Sequence, residues 1–202
     1  FIPMAGKISE QKHLGAIREG MMAAMPLLII GSAFLILGFI PIQGYSEFMS
    51  KIFGTDWLKK VLIPVGATFD LMALFTNIGI SYKLCEKYKV EPLLGSMISL
   101  GAFILVTPNS IKFNGRIIEN VILTTFLGGK GLFISMIMAI LAAEIYRILI
   151  QKNIVIKLPP SVPPTIGKSF VALIPGATVI TLFWIIDLVV SATSFENIHY
   201  II

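Results

Sequence analysis

Three acidic residues stand within or beside apolar runs: Asp70, Glu144 and Asp187. A charge held in hydrocarbon costs about 2.5–3.5 kcal/mol on the insertion scale, so each must find a partner, reach water or serve a pathway. Glu144 precedes Arg147 by three residues, a spacing that puts both side chains on one helix face and predicts a structural ion pair. Asp187 stands near the end of an apolar run, where its carboxylate would reach the interface. Asp70 is the deepest of the three and lies seven positions before Asn77, two helical turns along the same face. Asp70 and Asn77 are therefore the candidate substrate-binding residues, with hydrogen bonding between helices as the competing reading.

Other chemistry is thinly supplied. His13 and His199 sit at opposite ends of the chain, and His13 reads as a surface residue. Cys85 is the single cysteine, which excludes an internal disulfide and any Cys-pair metal site. No nucleophile–base pair can be assembled from these, so no catalytic residue, metal or cofactor is expected. Gly128-Gly129-Lys130-Gly131 has a faint likeness to a phosphate cradle, but a phosphate loop needs Ser or Thr after the lysine and a strand leading into it. Here it reads as a turn opening a hydrophobic span.

The elements that would hold these residues are hydrophobic. Of 202 residues, 56% are hydrophobic and 13% charged, and the mean hydropathy is +0.89. Soluble domains carry roughly 25% charge, so the chain reads as an all-α polytopic membrane protein. A net charge of +5 does not point to nucleic acid, because the basic residues lie in small groups between apolar runs instead of along one stripe. Spans are expected at about 21–42, 61–82, 92–106, 131–150 and from Pro163 or Pro164 to about 190, five in all. Leu14, Ile17 and Met21 at helical spacing predict an N-terminal amphipathic helix, with Ser9 as its cap. Between the first two spans, Tyr45 and Trp57 suit the headgroup layer. Residues 110–119 alternate around Asn114-Gly115 and predict a β-hairpin. Residues 154–158 read as strand-like, and Pro159, Pro160, Pro163 and Pro164 forbid a helix interior there. With the N-terminus in the cytoplasm, ten of the 16 Lys and Arg residues fall inside and six outside, the bias that membrane insertion favours.

Several segments form a recognisable series: Ile2-Pro-Met-Ala-Gly-Lys-Ile8, Gln11-Lys-His-Leu14, Ala16-Ile-Arg-Glu-Gly20 and Met25-Pro-Leu-Leu-Ile-Ile-Gly31 near the start. Further along come Gly131-Leu-Phe133, Glu144-Ile-Tyr-Arg147, Ile156-Lys-Leu-Pro159 and Val162-Pro-Pro164. Ser169-Phe-Val-Ala-Leu-Ile-Pro-Gly176 and Leu182-Phe-Trp184 complete the series. Together they resemble the lactose/cellobiose-type enzyme IIC, the membrane component of the bacterial phosphoenolpyruvate:sugar phosphotransferase system. The resemblance implies a multi-pass protein of the bacterial plasma membrane that imports a β-linked disaccharide of the cellobiose, diacetylchitobiose or lactose class. Import would be coupled to phosphorylation by enzyme IIB, itself charged by enzyme IIA, and the permease would be a homodimer. Members of this family run to about twice this length and keep their sugar-binding His and Glu in the second half. Residues 1–202 then correspond to an N-terminal scaffold and dimerisation domain without the C-terminal sugar-binding part, and no catalytic residue is carried over. A different class of function, an unrelated ion-coupled carrier or channel using Asp70 and Asp187 as ion ligands, is the alternative.

Overall fold

The structure, a computed structural model, describes residues 11–159, 163–194 and 197–200. Ser9 and Pro160 lie outside the described residues. The first long helix, α1 (Lys12–Gly38), is followed by a short helix α2 (Tyr45–Phe53) and by α3 (Trp57–Gly66). A 3-10 turn at Phe69–Leu71 leads into α4 (Met72–Lys87), and α5 (Pro92–Val106) follows a tight loop. Next come strands β1 (Ser110–Phe113) and β2 (Arg116–Glu119), then α6 (Thr124–Leu127) and a 3-10 turn at Gly129–Gly131. The chain continues through α7 (Leu132–Gln151) and α8 (Pro164–Ser191) to a last 3-10 turn at Ile198–Tyr200.

Four helical stretches are long and apolar enough to cross a membrane: Lys12–Gly38, Trp57–Lys87, Gly129–Gln151 and Ile166–Ser191. A fifth, Pro92–Val106, is apolar but shorter. Its 15 residues rise about 22 Å at 1.5 Å each, against a hydrocarbon core of about 30 Å. The positions match the five spans expected, and the chain passes back and forth between the two ends of one bundle. In the middle stands α4, packed against α1, α5 and α7, while α8 closes the far side on α5 and α7.

The prolines act where their chemistry lets them. Pro92 and Pro164 take the first helical position, where the missing N–H is no loss. Pro26 and Pro175 sit inside α1 and α8 without ending them. Pro64 is followed within a few residues by the break between α3 and α4, where Thr68 Oγ1 bonds the carbonyl of Pro64 at 2.8 Å. The second span is therefore two helices joined by a 3-10 turn.

The hairpin follows its turn residues. Asn114 and Gly115 have φ of 49° and 76°, the pair of positive values that a two-residue type I′ turn requires, and Phe113 pairs with Arg116 across it. Residues 154–158 form no strand; that segment runs as irregular chain towards α8.

Helix α1 turns its small residues inward. Gly15, Ala16, Gly20, Ala24, Gly31 and Gly38 are buried, while Leu14 and Met21, which the apolar spacing singled out, stay exposed. In a bilayer lipid solvates Leu and Met as well as protein does, so the packed face is the one that lets backbones approach. Where α1 crosses α4, a side chain on Gly20 would meet the backbone of Ile80, and one on Gly79 would meet the carbonyl of Gly20.

Candidate functional site

Asn77 is completely buried at the centre of the bundle. Ser99 Oγ on α5 donates to its Oδ1 at 2.9 Å, and its Nδ2 donates to the carbonyl of Ser135 on α7 at 3.1 Å. Ser135 Oγ in turn donates to the Ala73 carbonyl at 2.5 Å. The amide thus ties three helices together, with both its oxygen and its nitrogen engaged. Asp70 does not share a helix with Asn77, because it lies in the 3-10 turn ahead of α4. It is exposed there, against the backbone of Gly128. The two candidate ligands that helical spacing placed on one face thus stand in different surroundings, Asp70 exposed and Asn77 buried.

Gly131 occupies a point where a side chain would collide with the carbonyl of Phe126. The glycine run is thus a compact turn leading into α7. Gly128 in the same run lies against Asp70, an acidic residue no phosphate would choose as a neighbour.

Glu144 anchors a cluster at the end of the bundle where α1 and α8 begin and α4 and α7 finish. Arg147 Nε donates to Glu144 Oε2 at 2.9 Å, the ion pair its spacing predicts. His13 Nε2 stands 2.8 Å from Glu144 Oε1, linking the start of α1 to α7 across 131 residues of sequence. Although His13 is partly exposed, as a surface residue would be, it also forms a cross-helix tie. Tyr88, in the loop after α4, completes the group. Its hydroxyl faces the Glu144 carboxylate, and its ring lies 4.4 Å below the Lys12 ammonium and 4.3 Å below the Arg147 guanidinium. Burial first, and then the Glu144 carboxylate, push the Tyr88 hydroxyl above its ordinary pKa, so it stays a donor. Lys87–Glu19 at 2.7 Å and Lys168–Glu91 at 2.8 Å add further ties at this end. Nothing in the sequence singles out Tyr88 or pairs His13 with Glu144; their partners are brought together only by folding.

At the opposite end a cavity of about 590 Å³ opens between α5, the hairpin and the end of α8. Thr107, Asn109, Asp187, Ser191, Asn197 and Tyr200 line it. A neighbouring cavity of equal volume shares Asn109 and Asp187. Asp187 thus turns towards these hollows, and its Oδ1 is buried with no hydrogen-bond partner among the described residues. His199 packs beside them, with its ring centroid 5.1 Å from that of Phe126 and its Nε2 3.3 Å from Thr107 Oγ1. Burial pulls its pKa down to about 4, which holds the ring neutral. Among the described residues no group of three or more His, Cys, Asp or Glu could hold a metal ion.

Comparison with known proteins bears directly on this arrangement. A family model described as "Phosphotransferase system, EIIC" matches residues 18–202. The cellobiose-specific EIIC component of Geobacillus stearothermophilus is 54% identical across all of this chain and 46% of that protein. The lichenan permease IIC component of Bacillus subtilis (strain 168) is 50% identical with the same coverage of both chains. Among solved structures, the transporter ChbC superposes with a TM-score of 0.95 at 47% identity. That protein is the IIC component from the N,N'-diacetylchitobiose-specific phosphotransferase system, and the match covers 99% of this chain and 48% of ChbC. The chain spans about half the length of the relatives it matches.

Proposed function

Because the chain belongs to the EIIC family of the phosphotransferase system, we propose that it is the scaffold part of a sugar permease. The permease would import a β-linked disaccharide of the cellobiose, diacetylchitobiose or lactose class, coupled to phosphorylation by enzyme IIB. The observation that carries this reading is the match, along all of this chain and 46% of each relative, to two curated IIC components at 50% identity or more, one of them cellobiose-specific. No comparison favours the ion-coupled carrier.

The division of labour rests on where the polar groups go. A disaccharide site needs several convergent hydrogen-bonding groups with aromatic faces beside them. Asn77 spends its amide on Ser99 and Ser135, and Glu144 spends its carboxylate on His13 and Arg147. These are groups that hold helices in place. The sugar-binding groups then belong to the half of the family's length that this chain does not span, and residues 1–202 serve as the rigid part against which it works. The exposed apolar surface of α1, with Met22, Ile29 and Ile36 at its crest, suits contact with lipid or with a second copy in a homodimer. The basic end of the bundle would face the cytoplasm of a bacterial cell, on the side from which enzyme IIB, charged by enzyme IIA, approaches.

Calorimetric titration of cellobiose into this 202-residue chain, beside the full-length protein, tests the proposal. Binding by the longer protein alone is expected. Micromolar binding by the short chain would place the sugar site within these spans and overturn the scaffold reading.

A further inference from the structure

Helix α2 joins two spans and has no buried residue. On a helical wheel Tyr45, Phe48, Met49, Ile52 and Phe53 fall within one arc of about 140°, and Ser46, Glu47, Ser50 and Lys51 fill the rest. Such segregation in a soluble fold would mark a face packed on the core. Here Phe48, Ile52 and Phe53 are 59%, 57% and 55% exposed. The face is amphipathic yet uncovered among the described residues.

Its position says what covers it. Gly38, where α1 ends, lies against Leu58 and Leu62 of α3, so the chain leaves and re-enters the bundle at one level, the mouth of two membrane spans. Tyr45 fixes α2 at that level from both sides. Its hydroxyl bonds the Leu37 carbonyl at 2.7 Å, and its ring meets Trp57 edge-on with centroids 5.7 Å apart. Tyr and Trp together are the residues that settle in the headgroup layer. Nine residues rise only about 13 Å, too little to cross the bilayer. Phe39 and Ile42, also exposed, carry the apolar surface from α1 continuously onto α2. Lys51 on the polar arc and Lys59 just beyond, the latter 3.4 Å from Asp56, are exposed and basic, the charge that anionic headgroups attract.

We propose that α2 is an interfacial helix whose Phe48–Ile52–Phe53 face inserts into the headgroup–acyl boundary of the leaflet at this end of the bundle. A short helix of this kind, anchored at both ends to spans, fixes the depth and tilt of α1 and α3 in the bilayer. The partner is the lipid surface itself, recognised by apolar insertion beneath a polar rim.

The test is site-directed spin labelling of the full-length protein in phosphatidylcholine–phosphatidylglycerol vesicles. Cysteine replaces, one at a time, Glu47, Phe48, Lys51, Ile52 and Phe53, on a background with Cys85→Ala and any further cysteine also replaced. Because α2 buries nothing, these substitutions leave the fold intact. Collision with apolar oxygen relative to a water-soluble nickel chelate should be several-fold higher at 48, 52 and 53 than at 47 and 51. Equal access of the nickel chelate to all five positions would show α2 in water and overturn the proposal. Immobilised labels at 48, 52 and 53, shielded from both reagents, would overturn it too, since another stretch of protein would then cover the face.

Discussion

At the scale of single residues, the polar groups inside the bundle act as joints. Replacing Asn77 by Ala removes two hydrogen bonds between helices and strands the Ser99 and Ser135 groups. Interhelical hydrogen bonds in membranes contribute about 0.6 kcal/mol on average, and a stranded partner adds to that, so a cost of about 1–3 kcal/mol is expected. Thermal unfolding of the detergent-solubilised protein measures it. If the chain is the scaffold part of a sugar permease, the sugar affinity of a permease that contains it should stay unchanged; loss of affinity without loss of stability would make Asn77 a ligand instead. His199 makes a second, pH-dependent case. Its pKa in the fold is about 4 against an ordinary 6.5, so between those values the unfolded chain takes up a proton that the folded chain refuses. Stability is then full above pH 6.5 and falls as pH drops towards 4, by on the order of 2 kcal/mol. Carboxylates titrate over part of the same window, so the decisive quantity is the difference from His199→Phe, whose stability should fall less between pH 6.5 and 4. Parallel curves for the two proteins would sink the idea. The sequence marked Asn77 as unusual, because an amide in an apolar run must be accounted for. It could not show that Ser99 and Ser135 account for it, since those contacts span 22 and 58 residues of chain.

At the scale of elements, legibility followed the range of the forces involved. The hairpin could be read because the positive φ at Asn114 and Gly115 is a local demand met by local residues. Helix α8 began where Pro164 allows it to begin. The break between α3 and α4 was harder: Pro64 is a local signal for it, but the turn at Phe69–Leu71 also lies against Gly128, which is distant in sequence. Helix α2 was not read from the sequence because its apolar residues, though helically spaced, run for only nine positions between two much longer spans. The inward face of α1 was missed for a physical reason: hydrophobic spacing finds the lipid-facing side of a membrane helix as readily as the packed side. Its glycines make a sharp prediction. Gly20→Leu would drive a side chain into the Ile80 backbone, and overpacking of this kind costs about 3 kcal/mol or more when backbone must move. Gly167→Ala in α8 meets nothing within 4 Å and should be neutral or stabilising by up to about 1 kcal/mol, the difference in helix propensity. Unfolding temperatures of the two variants should move in opposite directions or by very different amounts. A tolerated Gly20→Leu would mean that α1 and α4 are not in close contact.

At the scale of the whole molecule, the two ends of the bundle differ in kind, and that difference predicts an orientation. One end gathers Lys12, Arg18, Lys83, Lys87, Lys89, Arg147, Lys152 and Lys168, with Glu19, Glu86, Glu91 and Glu144 among them. Exposed pairs such as Lys83–Glu86 contribute little to stability, so their grouping is better explained by insertion, which retains Lys and Arg in short cytoplasmic segments. The other end carries the Tyr45–Trp57 pair, the hairpin and the hollow around Asp187, with fewer basic residues. The N-terminus and the loop at Lys89 should therefore be cytoplasmic, and the Asn114-Gly115 turn external. Alkaline phosphatase folds to activity only outside the cytoplasm, and green fluorescent protein exported through the same route fluoresces only inside. Phosphatase inserted at the Asn114-Gly115 turn should be active and inactive after Lys89, while fluorescent fusions at the same two points should show the reverse. The opposite pattern would turn the bundle over, placing the Glu144 cluster outside and the Asp187 hollow on the side where a phosphorylating partner would have to dock.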